Sequence, residues 1–258
     1  MADSYQLAGR TAVITGSGKN IGRAIAVELA KLGVNIVLNG RSDTQALEAV
    51  QAEVEAAGSK AIIVVGNAGE KETVERFKAE AEKAFGHVDI SISNAARRLY
   101  KDFFETTDED WHNHLNTQLT GAWYMAKAFV PAMRERNWGR IIHVNGPDGW
   151  AGGPMRIPHS TAKGGLRTLT KSLAKGLGQY GITVNDVIPA FMETERDFET
   201  HPRYADPAYA RKRAAEVPIR RLTTVDEFAW ATSFLCAERS AGITGIALHV
   251  DGGGYLLG

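Results

Sequence analysis

The segment from Thr11 to Gly33 constrains the fold more than any other part of the chain. It reads TAVITGSGKNIGRAIAVELAKLG: a short β-branched apolar run, a glycine-punctuated turn, and apolar residues at helical spacing. This order predicts a buried strand that leads through the turn Gly16 to Gly22 into a helix. Unpaired N–H groups and the helix dipole attract anions at a helix start, so the turn is a candidate phosphate site. A plain structural loop is the alternative for such a turn taken by itself.

Strand and helix segments alternate along the rest of the chain. Predicted strands cover 11–15, 34–38, 61–65, 88–93, 140–144, 182–188 and 246–250, and predicted helices after the first cover 44–58, 69–85, 108–136, 159–178 and 224–237. Short connections imply parallel strands with right-handed crossovers. The prediction is an α/β fold, a single domain over 1–258 with a doubly wound parallel sheet of about seven strands and helices on both faces. The stretch at about 190–217 is too long for a simple connection and is predicted to be a lid over the site.

The amino-acid composition of the chain limits the kinds of partner and bound metal that we expect. Thirty basic and thirty acidic residues cancel, so no overall charge indicates nucleic acid or a membrane surface as a partner. No apolar run approaches the roughly 18 residues of a membrane span, and the start MADSYQLAGR has no signal-peptide core, so a cytoplasmic protein is expected. The single Cys236 excludes an internal disulfide, and His112 and His114 have the wrong helical spacing for a metal, so no metal is predicted.

The end of the second strand bears on the choice of dinucleotide. In dinucleotide-binding folds an acidic residue there binds the ribose hydroxyls and repels a 2′-phosphate, whereas a nearby arginine favours that phosphate. Here the strand ends in Asn39-Gly40-Arg41, with no acid, and Lys19 adds a second cation in the first turn. The sequence therefore predicts NADP rather than NAD, with two solvated surface cations as the alternative.

Four motifs in chain order resemble those of the short-chain dehydrogenase/reductase family. TGSGKNIG at 15–22 resembles its TGxxxGxG turn, SNAA at 93–96 its NNAG, IPA at 188–190 its PG segment, and ITGIALHVDGG at 243–253 its C-terminal strand signature. The resemblance covers nearly the whole chain. It implies a Rossmann-like fold, an NAD(P)-dependent oxidoreductase acting on a small carbonyl or alcohol, and a homotetramer or at least a dimer.

The resemblance also implies which residues contact the cofactor. They are Gly16, Ser17, Lys19, Asn20, Ile21, Gly22, Arg41, Asn67, Ala68, Asn94, Ala95, Lys163, Pro189 and Thr194. Two positions in these motifs depart from the family pattern: Asn20 and Ala96 stand where glycines are usual. Asn20 then requires a glycine-like backbone or a shifted loop.

The catalytic positions depart further from the family pattern of Ser, Tyr and Lys, with an Asn on the preceding helix. Aligning GRIIHVNG at 139–146 with the family's fifth strand puts Gly146 at the serine position. His159 then falls at the tyrosine position in HSTAK, with Lys163 retained four residues later, and Gln118 falls where the asparagine is expected. Only the lysine matches.

The altered set still permits acid–base chemistry. Positions i and i+4 share a helix face, so His159 and Lys163 are expected to point together into the cleft. An imidazole beside an ammonium is expected to be largely neutral at pH 7 and able to accept or donate a proton. Asp148 or Ser160 could replace the missing serine hydroxyl, although Asp148 also suits a turn in Gly-Pro-Asp-Gly.

Three functions follow from these residues. The leading one is an NADP-dependent oxidoreductase with an altered proton relay; the second is non-redox acid–base chemistry, such as elimination, hydration or isomerisation, with His159 as the base; the third is a catalytically silent cofactor-binding protein. The small-molecule substrate is expected to carry an anionic group, because several arginines fall in segments that border the predicted cleft. These arginines are Arg97, Arg98, Arg156, Arg196 and Arg203.

Overall fold

The protein is described by a computed structural model that covers residues 5–97, 99–189, 191–192, 194 and 206–255. Within these residues, seven strands form one parallel sheet in the order β3-β2-β1-β4-β5-β6-β7. The strands are β1 (Thr11–Ile14), β2 (Asn35–Gly40), β3 (Ala61–Val65), β4 (Ile90–Ser93), β5 (Gly139–Val144), β6 (Ile182–Pro189) and β7 (Ala247–Val250). The chain order reverses between β1 and β4, and ligands bind at the carboxyl ends of the strands beside such a point.

Helices cover both faces of the sheet. They are α1 (Asn20–Lys31), α2 (Thr44–Ala56), α3 (Lys71–Phe85), α4 (Asp108–Leu115), α5 (Gly121–Glu135), α6 (Asp148–Ala151), α7 (Ile157–Leu177), α8 (Pro207–Glu216) and α9 (Val225–Cys236). One apolar layer joins α1, α2 and α9 to the sheet through residues such as Leu29, Leu47 and Phe228. The opposite layer joins α3 and α5 to it through Phe77 and Phe129. The predicted doubly wound α/β fold is confirmed, and every predicted strand agrees with an observed one to within two residues at each end.

One predicted helix is wrong in its internal structure. Residues 108–136 do not form one continuous α-helix, because a π-helical segment, Asn116–Thr120, separates α4 from α5. We call Asn116–Thr120 the π segment. It packs closely on the loop after β3: a Cβ on Gly69 would lie 2.8 Å from the carbonyl carbon of Asn116, and one on Gly121 would lie 2.4 Å from the Ala68 carbonyl oxygen. Leu115, Leu119, Ala122 and Ala126 keep helical spacing across this segment, so the sequence pattern does not reveal it.

Two further sequence predictions concern residues that the structure describes only in part. Residues 190, 193 and 195–205 of the predicted lid at 190–217 lie outside the described residues, whereas 191, 192, 194 and 206–217 are described, and 206–217 contain α8. Arg98, Arg196 and Arg203 also lie outside them. Among the helices that are described, none has the length and apolar character needed to cross a bilayer.

Candidate active site

A cleft of two adjoining cavities lies at the carboxyl ends of the central strands. The first cavity, about 540 Å³, extends over the turn between β1 and α1, and the second, about 690 Å³, extends over the start of α7. The same five residues line both: Ile21, Asn94, Ala96, Tyr100 and Thr194. The two cavities are therefore parts of one cleft.

The glycine turn of the first cavity is shaped for close approach to its backbone. A Cβ on Gly22 would lie 2.2 Å from the Gly16 carbonyl oxygen, so only glycine fits there. Asn20 has φ of 52°, which is the glycine-like backbone that the sequence required of it. Asn94 holds the turn from the end of β4, because its Nδ2 donates to the Thr15 and Gly16 carbonyl oxygens, each at 2.9 Å.

Ser17 does not line the cleft, although it was predicted to contact the cofactor. Its side chain is fully buried, and its Oγ donates to the Asn39 carbonyl oxygen at 3.2 Å and accepts from the Asn39 amide at 2.9 Å. Asn39 Nδ2 in turn donates to the carbonyl oxygens of Val64 at 2.9 Å and Gly66 at 3.0 Å. Asn39 therefore ties the ends of β2 and β3 together, and Ser17 joins the first turn to them.

Most other residues predicted to contact the cofactor do line the cleft. The first cavity is lined by Gly16, Lys19, Asn20, Ile21, Gly22, Arg41, Asn67, Ala68, Asn94, Ala95 and Thr194, and the second by Lys163 and Pro189. Lys19 and Arg41 are both exposed. The sequence analysis missed Asp43, which also lines the first cavity and caps α2 by accepting from the Ala46 amide at 3.0 Å. Its place as an Asp just before a helix was the signal that could have found it.

His159 and Lys163 lie together in the second cavity, as their helical spacing predicted. Both are buried, one turn apart near the start of α7, which begins with a proline in its first turn. Lys163 Nζ donates to the Val144 carbonyl oxygen at 2.7 Å. This bond anchors the ammonium at the end of β5.

Asp148 joins this pair from outside the α7 helix. It begins the short helix α6, and its Oδ2 lies 3.6 Å from His159 Nε2. Arg156 holds the same carboxylate with two contacts, Nη1 to Oδ2 at 2.8 Å and Nη2 to Oδ1 at 3.0 Å. Ser160, the other candidate replacement for the serine, is buried and does not line either cavity. Of the two candidates, only Asp148 reaches the site.

Gln118, which was predicted as a catalytic residue, does not line either cavity. It lies in the π segment, is buried, and donates from Nε2 to the His114 carbonyl oxygen at 3.4 Å. Thr117, its neighbour, lines the first cavity instead. The wider π turn changes which residue of the helix faces the cleft.

The arginines of the second cavity are paired with carboxylates. Besides Arg156 with Asp148, Arg213 contacts Glu216 at 2.5 Å, and Arg221 contacts Glu227 at 2.6 Å. The sequence analysis did not single out the last two arginines or the aromatic residues of this cavity. These aromatic residues are Tyr100, Phe191, Tyr209 and Tyr255. Arg97, from the predicted set, lines the first cavity.

Two buried titratable groups, His143 and Asp186, lie on neighbouring strands below Lys163. Burial raises the pKa of Asp186 from 3.8 to about 6, although hydrogen bonds from Thr170 and Asn145 lower it. Burial lowers the pKa of His143 to about 3, and the charge of Lys163 lowers it further. His143 is therefore neutral at any pH at which the site could work, whereas Asp186 changes charge near neutrality.

Comparison with known proteins identifies the family of this fold and cleft. A profile of the family described as enoyl-(acyl carrier protein) reductase matches residues 16–254. The 3-oxoacyl-[acyl-carrier-protein] reductase FabG of Aquifex aeolicus is 32% identical over 248 residues, which cover 96% of this chain and 98% of that protein. The chain belongs to the short-chain dehydrogenase/reductase family.

Other proteins similar to this short-chain dehydrogenase/reductase carry different activities in their names. Gluconate 5-dehydrogenase of Gluconobacter oxydans is 30% identical over 251 residues, 97% of this chain and 96% of that protein. A solved structure of a candidate short-chain alcohol dehydrogenase from Sinorhizobium meliloti 1021 matches with a TM-score of 0.90 at 27% identity, covering 97% of this chain and 98% of that one. As a member of this family, the chain is an NAD(P)-dependent oxidoreductase.

The first cavity fits the nicotinamide cofactor of the family. Gly22 packs on the Gly16 carbonyl oxygen and on Asn94, which gives a tight turn at the start of α1, where free N–H groups and the helix dipole favour a pyrophosphate. Arg41 and Lys19 supply cations at the same cavity. The described residues contain no cluster of ligands that could hold a metal ion.

Proposed function

We propose that this short-chain dehydrogenase/reductase is an NADP(H)-dependent oxidoreductase that interconverts a small carbonyl compound and its alcohol, with His159 as the proton-transfer residue. The observation that carries the proposal is the placement of His159 beside Lys163 in the second cavity, with Asp148 Oδ2 3.6 Å from His159 Nε2. The bound nicotinamide supplies hydride transfer.

His159 holds or moves the proton of the substrate oxygen. When an alcohol is oxidised, the imidazole accepts the hydroxyl proton; when a carbonyl is reduced, it returns a proton to the forming alkoxide. Asp148 stabilises the imidazolium that forms and restricts the ring orientation, which is the part that a carboxylate plays beside a catalytic histidine. Arg156, paired to the same carboxylate, keeps Asp148 in position.

Lys163 anchors the cofactor side of the site. The bond from its Nζ to the Val144 carbonyl oxygen keeps the ammonium at the wall of the cleft, where the family resemblance implies a contact with the nicotinamide ribose. Its charge also favours the neutral form of a nearby imidazole and the alkoxide form of a substrate.

NADP is the proposed form of the cofactor. Arg41 and Lys19 line the first cavity and can pair with a 2′-phosphate, and Asn39 is a neutral side chain committed to the ends of β2 and β3. Asp43 lines the same cavity, but its carboxylate accepts from the Ala46 amide at the start of α2. The balance of charge at this end of the cavity favours a phosphate.

The substrate is proposed to be a small molecule whose reactive end is uncharged. The sequence suggested an anionic group because of the arginines near the cleft. Three arginines of the described lining, Arg156, Arg213 and Arg221, are already neutralised by carboxylates, and the remaining wall is rich in aromatic residues. The names of the relatives, which include a 3-oxoacyl-[acyl-carrier-protein] reductase and a gluconate dehydrogenase, do not agree on one substrate.

A non-redox reaction is the second candidate, and the Asp148–His159 pair is the observation that favours it. A carboxylate beside an imidazole suits proton abstraction in an elimination or isomerisation as well as it suits alcohol oxidation. The two functions separate by one measurement. Stoichiometric appearance of NADPH with an alcohol substrate supports the oxidoreductase, whereas conversion with an unchanged cofactor absorbance supports the non-redox reaction.

The proposed role of His159 is tested by His159→Ala, with Ser160→Ala as the matched control. Because the histidine supplies general acid–base catalysis, its loss is expected to lower kcat by about 100-fold or more. Ser160 is buried on the same turn and does not line the cavities, so its variant is expected to keep turnover. NADPH affinity, followed by fluorescence, is expected to be unchanged in both. If His159→Ala turns over the true substrate at the wild-type rate, the imidazole of His159 takes no part in the mechanism.

The complementary experiment restores the family residues with Gly146→Ser and His159→Tyr together. A Cβ at Gly146 has only Lys163 Cγ in range, at 4.0 Å, so the cleft has room for the serine. Carbonyl reductase activity gained by the double variant, measured as NADPH consumption over a panel of ketones, would support a substrate placed over the nicotinamide. No gain in a folded, NADPH-binding variant would count against carbonyl reduction in this cleft.

A further inference from the structure

A chain of buried polar side chains runs beneath the second cavity and links β5, β6 and α7. His143 and Asp186 are register partners in the parallel pair β5–β6, and Thr170 reaches between them from α7. His143 Nδ1 lies 2.7 Å from Thr170 Oγ1, which lies 2.6 Å from Asp186 Oδ1. All three residues are at most 1% exposed. These hydrogen bonds are thus shielded from water, and a buried polar group that loses its partner there destabilises the folded protein.

The second oxygen of Asp186 extends this chain to the active-site turn. Asn145 Nδ2 donates to Asp186 Oδ2 at 3.0 Å, and Asn145 Oδ1 accepts from the Gly146 amide at 2.9 Å. The Asn145 side chain therefore has one orientation, because its NH₂ faces a carboxylate and its oxygen faces an N–H group. The turn that follows Gly146 carries Asp148, the residue beside His159.

The ionisation of Asp186 sets the direction of these hydrogen bonds. Thr170 has one hydroxyl hydrogen, and ionised Asp186 can only accept it. Thr170 Oγ1 must then accept from His143, so the histidine carries its proton on Nδ1. When Asp186 binds a proton on Oδ1, it can donate to Thr170 Oγ1 while the Thr170 hydroxyl donates to the Leu166 carbonyl oxygen at 3.1 Å. His143 keeps its proton on Nδ1, because its buried Nε2 has no hydrogen-bond partner among the described residues.

Charged groups around Asp186 come from the helix above it. Lys163 and Arg167 on α7 both favour its ionised form, while His143 on β5 stays neutral. The neighbouring strand β7 places Ala247 beside it in register. Both cations that act on this buried carboxylate therefore lie on α7.

We propose that Asp186 is a positioning residue of this site: through Asn145 it holds the turn from Gly146 to Asp148, and so holds the Asp148 carboxylate beside His159. The consequence for turnover rests on the proposed function, but the positioning itself does not. Asp186 lines neither cavity, whereas Asn145 lines the second, and in this proposal both act through Asp148 and His159.

The test uses Asp186→Leu, with Thr183→Val as the matched control. Leucine has no polar side-chain atom, so the bonds from Asn145 and from Thr170 to residue 186 are both lost. Thr183 is buried on the same strand with its Oγ1 unpartnered among the described residues, so removing that hydroxyl breaks no bond. Selective ¹⁵N-histidine NMR of the full-length protein then follows His143 and His159 as pH is varied.

The expected signals are distinct for the two histidines. In the wild type and in both variants, His143 is expected to stay neutral with its proton on Nδ1, so its signals serve as an internal reference. The titration midpoint of His159 moves to lower pH in Asp186→Leu and stays unchanged in Thr183→Val, because only in Asp186→Leu does a displaced Asp148 no longer stabilise the imidazolium. With substrate, kcat falls at least about 10-fold while the NADPH dissociation constant stays the same, since the cofactor turn lies on another element.

A second variant keeps the proposal testable if Asp186→Leu does not fold. Asn145→Ala removes the amide that joins Asp186 to the Gly146 N–H group and leaves the bond from Thr170 to Asp186, so it is expected to lower the His159 titration midpoint. Thr170→Val keeps the Asn145 link and is expected to leave the His159 titration unaltered. A His159 titration that is identical in wild type, Asp186→Leu and Asn145→Ala overturns the positioning role. A shifted His159 titration combined with full turnover by His159→Ala supports the positioning role and refutes the catalytic role of His159.

Discussion

At the scale of single residues, three polar side chains distinguish this cleft. Asn39 joins the ends of β2 and β3, His159 stands where the family resemblance implies a tyrosine, and Asp148 lies beside the histidine from a separate short helix. Each of these residues bears on the charge of the cleft or carries a group able to transfer a proton. Cofactor choice, pH dependence and turnover are therefore the measurable consequences.

Arg41→Ala is expected to weaken NADPH binding without weakening NADH binding. A charge-assisted contact to the 2′-phosphate contributes about 1–3 kcal/mol, so the NADPH dissociation constant should rise by roughly 5- to 150-fold. Lys31→Ala is the control, because Lys31 is an exposed cation at the end of α1 that pairs with Glu28. Calorimetric titration of both cofactors measures the effect. Equal affinities for the two cofactors in the wild type would contradict the NADP assignment.

His143 and Asp186 are expected to give opposite pH dependences of stability. The raised pKa of Asp186 adds stability that is fully present below 3.8 and lost as pH rises through about 6. The lowered pKa of His143 adds stability that is present above 6.5 and lost as pH falls toward about 3. In the wild type the two contributions offset each other between pH 7 and pH 5.

Variants that remove one of the two groups reveal the pH dependence of stability that the other group contributes. Asp186→Asn leaves only the histidine contribution, so its free energy of unfolding should fall more on acidification than that of the wild type. His143→Gln leaves only the aspartate contribution, so its free energy of unfolding should rise relative to the wild type over the same change. Urea unfolding at pH 7 and pH 5 provides the values. Variants that deviate from wild type in the same direction would refute the assignment.

At the scale of secondary-structure elements, two turns do most to shape the cleft. The β1–α1 turn combines Gly22, which has no space for a side chain, with Asn20 in a left-handed backbone. The π segment packs on the loop at Ala68 and Gly69 and turns Gln118 away from the cavities. Both are departures from regular helix geometry beside the first cavity, where regular geometry would leave the backbone less accessible.

Gly22→Ala is expected to damage the turn, and Gly176→Ala is its matched control. The added methyl at 22 would lie 2.2 Å from a backbone oxygen and 2.7 Å from Asn94 Nδ2, so the backbone must move at an overpacking cost of about 1–3 kcal/mol. At Gly176, near the end of α7, nothing lies within 4 Å of an added Cβ, and alanine should stabilise the helix by about 0.5–1 kcal/mol. Thermal unfolding and NADPH titration are the measurements. Unchanged NADPH affinity in Gly22→Ala would show that the turn does not hold the cofactor.

At the scale of the whole molecule, the exposed apolar residues bear on assembly. The family resemblance implies a homotetramer or at least a dimer, and Trp123 on α5 is 45% exposed. The structure adds a second apolar face on α9, where Trp230 is 57% exposed and stacks on Phe234 with ring centroids 6.2 Å apart. These two faces lie on opposite sides of the sheet, an arrangement that suits a tetramer with two kinds of contact.

Trp230→Glu is expected to lower the oligomeric state, because a buried carboxylate is incompatible with an apolar subunit contact. Lys78→Glu is the control, since it adds acidic charge on the exposed side of α3 without removing apolar surface. Light scattering at micromolar concentration gives the mass. A wild-type mass near that of one 28.0 kDa chain would refute the assembly.

The amino-acid sequence by itself determined the order of strands and helices, the glycine turn and the identity of the residue at each catalytic position. These features are local, because apolar periodicity and turn residues depend on backbone geometry over a few residues. His159 and Lys163 were likewise predicted to face one cleft from their spacing on one helix.

Only the tertiary structure decided which other side chains reach them. Asp148 meets His159 because α6 folds back on α7, Gln118 is excluded by a π turn that the apolar pattern does not reveal, and Ser17 turns inward to bond Asn39. His143 and Asp186 are 43 residues apart in sequence, so their pairing depends on the register between β5 and β6. Such contacts depend on how packed elements align, a property to which many residues contribute and which no short motif encodes.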